Sequence, residues 1–174
     1  PAIIGERLLG EAQCYNYGVS GSCVIKESIE GLWVGMPYLN THAYAQACAQ
    51  IGDIYVINLG TNDATDGAPD EPGGTIDPYG NLMAFKHRFK ACYEEILKGI
   101  TSMHPEATII LCLPIPIGES IWKKHKEIYL RDLRIIIKEI AEAYGFHIID
   151  LQRPFSEKNH QEAYYLEDGL HLNA

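Results

Sequence analysis

The chain has 174 residues, 47% of them hydrophobic, so it is long enough and apolar enough to fold as one globular domain around a buried core. Its formal net charge of -9 argues against nucleic acid and against an anionic membrane surface as partners. No apolar run is long enough to cross a bilayer, so no membrane span is expected.

The predicted elements alternate between strands and helices along the chain. The segment that begins at Pro1 predicts a helix with no strand before it. Residues 12–19 predict a weak strand that ends in a glycine-containing turn. Short apolar runs predict buried parallel strands, and periodic apolar positions predict helices, two of which would end at Gly52 and Gly145. This order predicts an α/β fold of three layers, with a parallel sheet covered on both faces. The strands cover 53–60, 107–114 and 146–151, and the helices cover 41–52, 82–105 and 121–145.

Residues 64–81 form an irregular segment crowded with Gly, Pro and Asp. A connection of this length in a compact domain is usually functional or mobile. We interpret it as a flap over a binding site, with a solvated surface excursion as the alternative. Its acidic residues lack the spacing of an EF-hand calcium loop, so no calcium site is expected there.

The cysteines and histidines show no spacing typical of a metal site. No C-x-x-C pair occurs, and the seven histidines are scattered without an H-x-x-x-H pair. We therefore expect no structural metal, and buried free thiols in place of disulfides. The cysteines are Cys14, Cys23, Cys48, Cys92 and Cys112.

The stretch VINLGTNDA places polar residues where a predicted strand ends. The strand leaves through Gly60, and Asn62 and Asp63 follow. An Asn amide held at the end of a strand can donate an N–H to an oxyanion. The alternative is that Asn62 or Asp63 forms an Asx turn or caps a following helix.

The stretch YNYGVSGS ends the weak strand in a turn of small residues. Gly18 and Gly21 allow close approach to the backbone, so a backbone N–H here could be a second oxyanion donor. The nucleophile-elbow motif G-x-S-x-G fails, because Ser22 stands where that motif requires glycine. Gly/Ser turns after strands are also common without any catalytic role.

The stretch DGLHLN places a carboxylate and an imidazole close together in sequence. Asp168 could fix the tautomer of His171, which would then serve as general base and later as general acid. The alternative is that Asp168 is a helix N-cap and His171 a surface side chain.

The order of three motifs in this chain resembles the sequence blocks of the SGNH (GDSL-type) hydrolase superfamily, and the resemblance extends over almost the whole chain. The motifs are G-x-x-G, G-T-N-D and D-G-x-H-x-N. The stretches PYLNTHAYAQA, DIYVINLGTND and ILCLPIPIGES are similar to the branch of sialate O-acetylesterase-like and other carbohydrate acyl esterases. The resemblance implies a flavodoxin-like α/β/α fold in a single domain over residues 1–174.

For the oxyanion hole, the resemblance implies one donor from each of two turns. Gly21 matches the glycine whose backbone N–H is a donor. Asn62 matches the asparagine whose side-chain amide is a further donor. Gly60 and Asp63, on either side of Asn62, would support the site.

For the catalytic triad, the resemblance implies that Asp168 orients His171, the base. The family nucleophile is the Ser of a G-D-S motif at the end of the first strand, and no G-D-S occurs in this chain. Because the predicted fold opens on a helix and stops at Ala174, where a helix would be expected to continue, we expect a chain trimmed at both ends, with the Ser upstream of Pro1. Ser20 and Ser22 lie in the turn of the oxyanion glycine and are disfavoured as nucleophiles.

The function implied is that of a serine esterase without metal or organic cofactor, acting on a small-molecule or glycan ester. We favour short acyl groups, acetyl foremost, because an acidic chain with a polar loop suits a hydroxyl-rich substrate such as a carbohydrate. The alternatives are a thioesterase or lysophospholipase-type acylhydrolase, and a non-catalytic glycan-binding pseudoenzyme. The presence of Asp168, His171 and Asn62 together favours catalysis, since a pure binding site needs no oriented base.

Overall fold

The computed structural model of the protein describes residues 12–26, 36–64, 82–116 and 124–153. The helix predicted from Pro1 lies outside these ranges. Within them, no helix combines the length and apolar character needed to cross a membrane. The strands are β1 (Ser22–Cys23), β2 (Met36–Pro37), β3 (Ile54–Ile57), β4 (Thr108–Leu113) and β5 (His147–Asp150). The helices are α1 (His42–Ala49), α2 (Leu82–Met103) and α3 (Lys124–Tyr144), with a 3₁₀ turn at Tyr38–Asn40.

The described strands pair in parallel and form two small sheets. β1 pairs with β2, while β3, β4 and β5 lie side by side in that order. α2 connects β3 to β4 and α3 connects β4 to β5, as the crossovers between parallel strands require. The carboxyl ends of β3, β4 and β5 therefore meet at one edge of their sheet, where folds of this class bind ligands.

The hydrophobic core lies between one face of the three-stranded sheet and the helices α2 and α3. Ile57 of β3 and Leu111 and Leu113 of β4 belong to the same buried cluster as Phe89 of α2 and Ile137 of α3. Burial of such a cluster is the main favourable term in folding. The core thus fixes the direction of β3, whose carboxyl end carries the candidate site.

The predicted burial of the strands is found only in part. β4 is largely buried, as predicted. Ile54 and Val56 of β3 are 61% and 57% exposed, and every residue of β5 is exposed. Within the described residues, the prediction of strands buried on both faces is therefore wrong for β3 and β5. An apolar run indicates a hydrophobic strand, but it does not indicate how many of its faces are covered.

The weak strand predicted at residues 12–19 is wrong, because the structure has no regular element between residues 13 and 19. Part of this segment forms other contacts instead of a strand ladder. The hydroxyl of Tyr38 donates to the carbonyl of Tyr17 at 3.0 Å, and the backbone N–H of Gly18 donates to the Asn16 side chain at 3.0 Å. The strand begins later, at β1.

Two glycines, Gly52 and Gly145, are expected to end helices, and the structure confirms this only for Gly145. α1 begins after Thr41, whose side chain accepts a hydrogen bond from the first turn, but it ends in extended backbone before reaching Gly52. α3 ends as predicted at Gly145, which has a φ of +69°. The backbone N–H of Phe146 then donates to the carbonyl of Ala141 at 2.8 Å, as in a Schellman motif.

All five cysteines are free thiols, as predicted, but they differ in exposure. Cys23, Cys92 and Cys112 are buried and Cys48 is partly buried. The prediction of burial is wrong for Cys14, which is exposed because it lies in the segment that forms no strand.

Arg134 of α3 is a buried cation that binds the chain at the carboxyl end of β4. Its Nε donates to the Pro114 carbonyl and its Nη2 to the Ile115 carbonyl, each at 2.8 Å. The guanidinium also forms an ion pair with Glu127 of the same helix. A guanidinium suits this position because it offers several donors in fixed directions. Arg134 therefore fastens α3 to the edge of the sheet that carries the candidate site.

The variant Arg134→Met is expected to lower the free energy of unfolding by about 3 kcal/mol, because two carbonyls lose a charged donor in the interior. Arg131→Met is the matched control, since its guanidinium side chain is 69% exposed, and a change below about 0.5 kcal/mol is expected. Urea denaturation followed by circular dichroism measures both values. Equal losses in the two variants would contradict the role of Arg134.

Candidate active site

Strand β3 leads into a tight turn that presents Asn62 and Asp63. Gly60 has a φ of +117°, a conformation that L side chains rarely adopt. A Cβ at this position would also lie 3.3 Å from the ring of Phe89. The backbone N–H of Asp63 donates to the carbonyl of Gly60 at 3.2 Å and closes the turn. Glycine at position 60 is therefore needed for the course of the chain beyond β3.

A second turn, at residues 19–22, carries Gly21. The backbone N–H and the hydroxyl of Ser22 both donate to the carbonyl of Val19, at 3.2 and 2.8 Å. Gly21 has a φ of +72°, and a Cβ built on it would meet no described atom within 4 Å. The backbone conformation thus favours glycine, and no described residue fills the space beside it.

The two turns contact each other through the side chain of Asn62. Its Nδ2 donates to the carbonyl of Ser22 at 2.9 Å, across 40 residues of sequence. A primary amide carries two N–H groups, so this bond uses one of them. Gly21 and Asn62, the two predicted oxyanion donors, therefore lie on turns that are in direct contact.

Asp63 is fully buried and binds the backbone that follows β1. The N–H of Val24 donates to both carboxylate oxygens, at 3.0 and 2.9 Å, and the N–H of Ile25 donates to Oδ1 at 2.9 Å. Burial raises the pKa of Asp63 to about 6, although the N–H donors act in the opposite direction. Sequence reasoning missed Val24 and Ile25, because both take part through backbone groups that any residue type except proline provides.

Asp168 and His171 lie outside the described residues, as does the predicted flap from residue 65 to 81. In the ranges that the structure does describe, no group of three His, Cys, Asp or Glu side chains could hold a metal ion. The described part of the site is therefore the pair of turns that carry Gly21 and Asn62, with Asp63 behind them in the core.

The GDSL-like lipase/acylhydrolase family matches the chain over residues 1–174. The chain belongs to this family. The predicted membership of the SGNH (GDSL-type) hydrolases is thereby confirmed.

One curated relative of this GDSL-family chain is an acetylxylan esterase of Xylanibacter ruminicola, 26% identical over 175 residues. The alignment covers 91% of the chain and 32% of the esterase. The chain thus spans less than half of that relative's length.

Solved structures align with the GDSL-family chain as well. One matches with a TM-score of 0.56 at 22% identity, over 96% of this chain and 74% of the other. An extracellular lipase from Streptomyces rimosus matches with a TM-score of 0.50 at 17% identity, over 68% of this chain and 56% of the lipase. At these identities the likeness shows the fold alone, which is the α/β, flavodoxin-like fold of SGNH hydrolases.

Two groups in β1 of this GDSL-family domain, next to the turn of Gly21, could be mistaken for nucleophiles. Burial, and after it the charge of Asp63, raises the pKa of the Cys23 thiol to about 12. Cys23 therefore has almost no thiolate, its reactive form, at neutral pH. The hydroxyl of Ser22 is buried and donates to the Val19 carbonyl, so it has no contact with a base among the described residues. Neither the Cys23 thiol nor the Ser22 hydroxyl is therefore activated by the groups that the structure describes around it.

Proposed function

We propose that the protein is a serine esterase that removes short acyl groups, acetyl foremost, from hydroxyl-rich substrates such as carbohydrates. The observation that carries the proposal is the 2.9 Å hydrogen bond from Asn62 Nδ2 to the Ser22 carbonyl. It joins the turns of Asn62 and Gly21, so that N–H donors from both can serve one tetrahedral oxyanion. Membership of the GDSL-like lipase/acylhydrolase family supports the same chemistry.

In the proposed mechanism, His171 removes the proton of a serine hydroxyl as the serine oxygen attacks the ester carbonyl. Asp168 orients the imidazole and stabilises the imidazolium that results. The Gly21 N–H and the Asn62 amide bind the negative oxygen of the tetrahedral intermediate, each such donor contributing about 3 kcal/mol. His171 then protonates the leaving alcohol, and water repeats the sequence to release the acid.

The proposed serine lies upstream of Pro1, on a parallel strand that pairs with β3. Among the described strands, β3 has β4 on one side and no neighbour on the other. An open strand edge presents unpaired backbone N–H and C=O groups, which folded proteins normally cover. The carboxyl end of a parallel strand at this position would lie beside the carboxyl end of β3, close to Asn62.

Three features support a short acyl group on a carbohydrate as the substrate. A relative at 26% identity is an acetylxylan esterase. The chain carries a net charge of -9, and residues 64–81 are rich in Gly, Pro and Asp. A long acyl chain needs an extended apolar pocket, whereas a polar segment of this kind suits a substrate with many hydroxyl groups.

A series of p-nitrophenyl esters from acetate to palmitate tests the proposal on the full-length protein. We expect kcat/KM to be highest for acetate and lower for octanoate by about tenfold or more, because a short pocket excludes the added methylenes. Acetate release from acetylated xylan, with the Asn62→Ala variant as the blank, tests the carbohydrate. The highest kcat/KM on octanoate or palmitate would contradict a short-chain esterase and favour a lysophospholipase-type enzyme.

A further inference from the structure

Asp63 is a charged interior group that the proposed mechanism does not use. Its side chain is fully buried, and a buried carboxylate costs several kcal/mol unless donors compensate for the lost water. The backbone N–H groups of Val24 and Ile25 are such donors, at 2.9 to 3.0 Å. These bonds tie the turn after β3 to the chain that follows β1.

Two consecutive residues, Asn62 and Asp63, thus bind the chain in and just after β1. Asn62 donates to the carbonyl of Ser22, while Asp63 accepts from Val24 and Ile25. The carboxylate accepts hydrogen bonds on both of its oxygens, whereas Asn62 contributes its bond through one N–H group. The spacing of the two turns therefore depends on the Asp63 carboxylate, although that carboxylate faces the core.

We propose that Asp63 is a positioning residue, whose carboxylate holds the Gly21 N–H and the Asn62 amide at the separation that the oxyanion requires. Its kinetic consequence rests on the proposed esterase function, whereas its hydrogen bonds do not. Asn at position 63 would not replace the carboxylate, because its NH₂ group would face a backbone N–H.

A double-mutant cycle in the full-length protein separates positioning from a general structural role. Asp63→Asn is expected to lower kcat for p-nitrophenyl acetate by about 100-fold with little change in KM, because misplaced donors weaken binding of the transition state. In the Asn62→Ala background, where one donor is already absent, the same change is expected to lower kcat by less than about tenfold. An equal loss in both backgrounds would overturn the inference.

Asp132→Asn is the matched control for removing a buried carboxylate. Asp132 is 6% exposed and pairs with Lys86 of α2 at 2.7 Å instead of binding the backbone of a turn. We expect kcat to stay within about threefold of the wild-type value, because the Asp132 pair does not involve the oxyanion turns. A loss as large as that of Asp63→Asn would show that any buried charge matters equally, and would overturn the positioning role.

Hydrogen exchange gives a readout that needs neither catalysis nor a variant that folds. In the wild-type protein, the amides of Val24 and Ile25 are expected to exchange as slowly as the core amides of α2, because Asp63 holds them. Fast exchange at both amides would overturn the inference even in an active esterase. Slow exchange in a protein without esterase activity would support the Asp63 contact and contradict the proposed function, so the two proposals fail separately.

Discussion

The variant His171→Ala is expected to lose about 10⁴- to 10⁶-fold in kcat, in the full-length protein and with the fold intact. His171 is the base of the proposed mechanism, and without it the serine hydroxyl keeps its proton as it attacks the ester. KM is expected to change little, because proton transfer acts on the transition state more than on substrate binding. Initial rates on p-nitrophenyl acetate measure kcat and KM, and thermal melting reports on the fold.

His87→Ala is the matched control, because His87 is an exposed histidine on α2. Its kcat is expected to equal the wild-type value within about twofold, since it lies on a solvent-exposed helix face. If His171→Ala kept more than about a tenth of the wild-type kcat, the loss would be smaller than general-base catalysis provides, and the assignment of His171 would be contradicted.

The variant Asn62→Ala is expected to lower kcat by about 10²- to 10³-fold, the usual cost of removing one oxyanion donor. KM is expected to stay close to the wild-type value, because the negative charge that the amide binds develops only in the transition state. Steady-state kinetics over a range of p-nitrophenyl acetate concentrations separates the two constants. The free energy of unfolding should fall by about 1 kcal/mol as well, because the bond to the Ser22 carbonyl is lost.

Asn40→Ala provides the comparison, because Asn40 is an exposed asparagine of the 3₁₀ turn. It is expected to leave both kinetic constants at their wild-type values within about twofold. A raised KM with unchanged kcat in Asn62→Ala would show that Asn62 binds the substrate in its ground state, which contradicts a role in the oxyanion hole.

The features of the fold and site that the sequence predicts well carry a local residue signal or follow from the order of strands, helices and motifs. Gly145 ends α3 because a residue that adopts positive φ easily stops a helix. The association of the Gly21 turn with the Asn62 turn follows from the resemblance to the SGNH sequence blocks, which implies one oxyanion donor from each, and the Asn62 bond to the Ser22 carbonyl shows that the two turns are in contact. The alternation of strands and helices was enough to predict the α/β class.

The features that the sequence does not predict depend on backbone hydrogen bonds, or on which other segments of the chain pair with a strand or cover its faces. The partners of Asp63 are the N–H groups of Val24 and Ile25, which carry no residue-type signal. The exposure of Ile54 depends on what covers β3, and an apolar run is the same whether one face or two are covered. The segment at residues 12–19 has the composition of a strand, but a strand also needs a partner for its ladder.

We propose that the protein is a serine hydrolase whose nucleophile lies upstream of Pro1. Labelling the full-length protein with a fluorophosphonate probe, followed by intact-mass and peptide mass spectrometry, tests it most directly. We predict one adduct, on a serine upstream of Pro1, and no adduct in the His171→Ala variant, because the base activates that serine. A folded wild-type protein without any adduct, or an adduct on Ser20 or Ser22, would contradict the account.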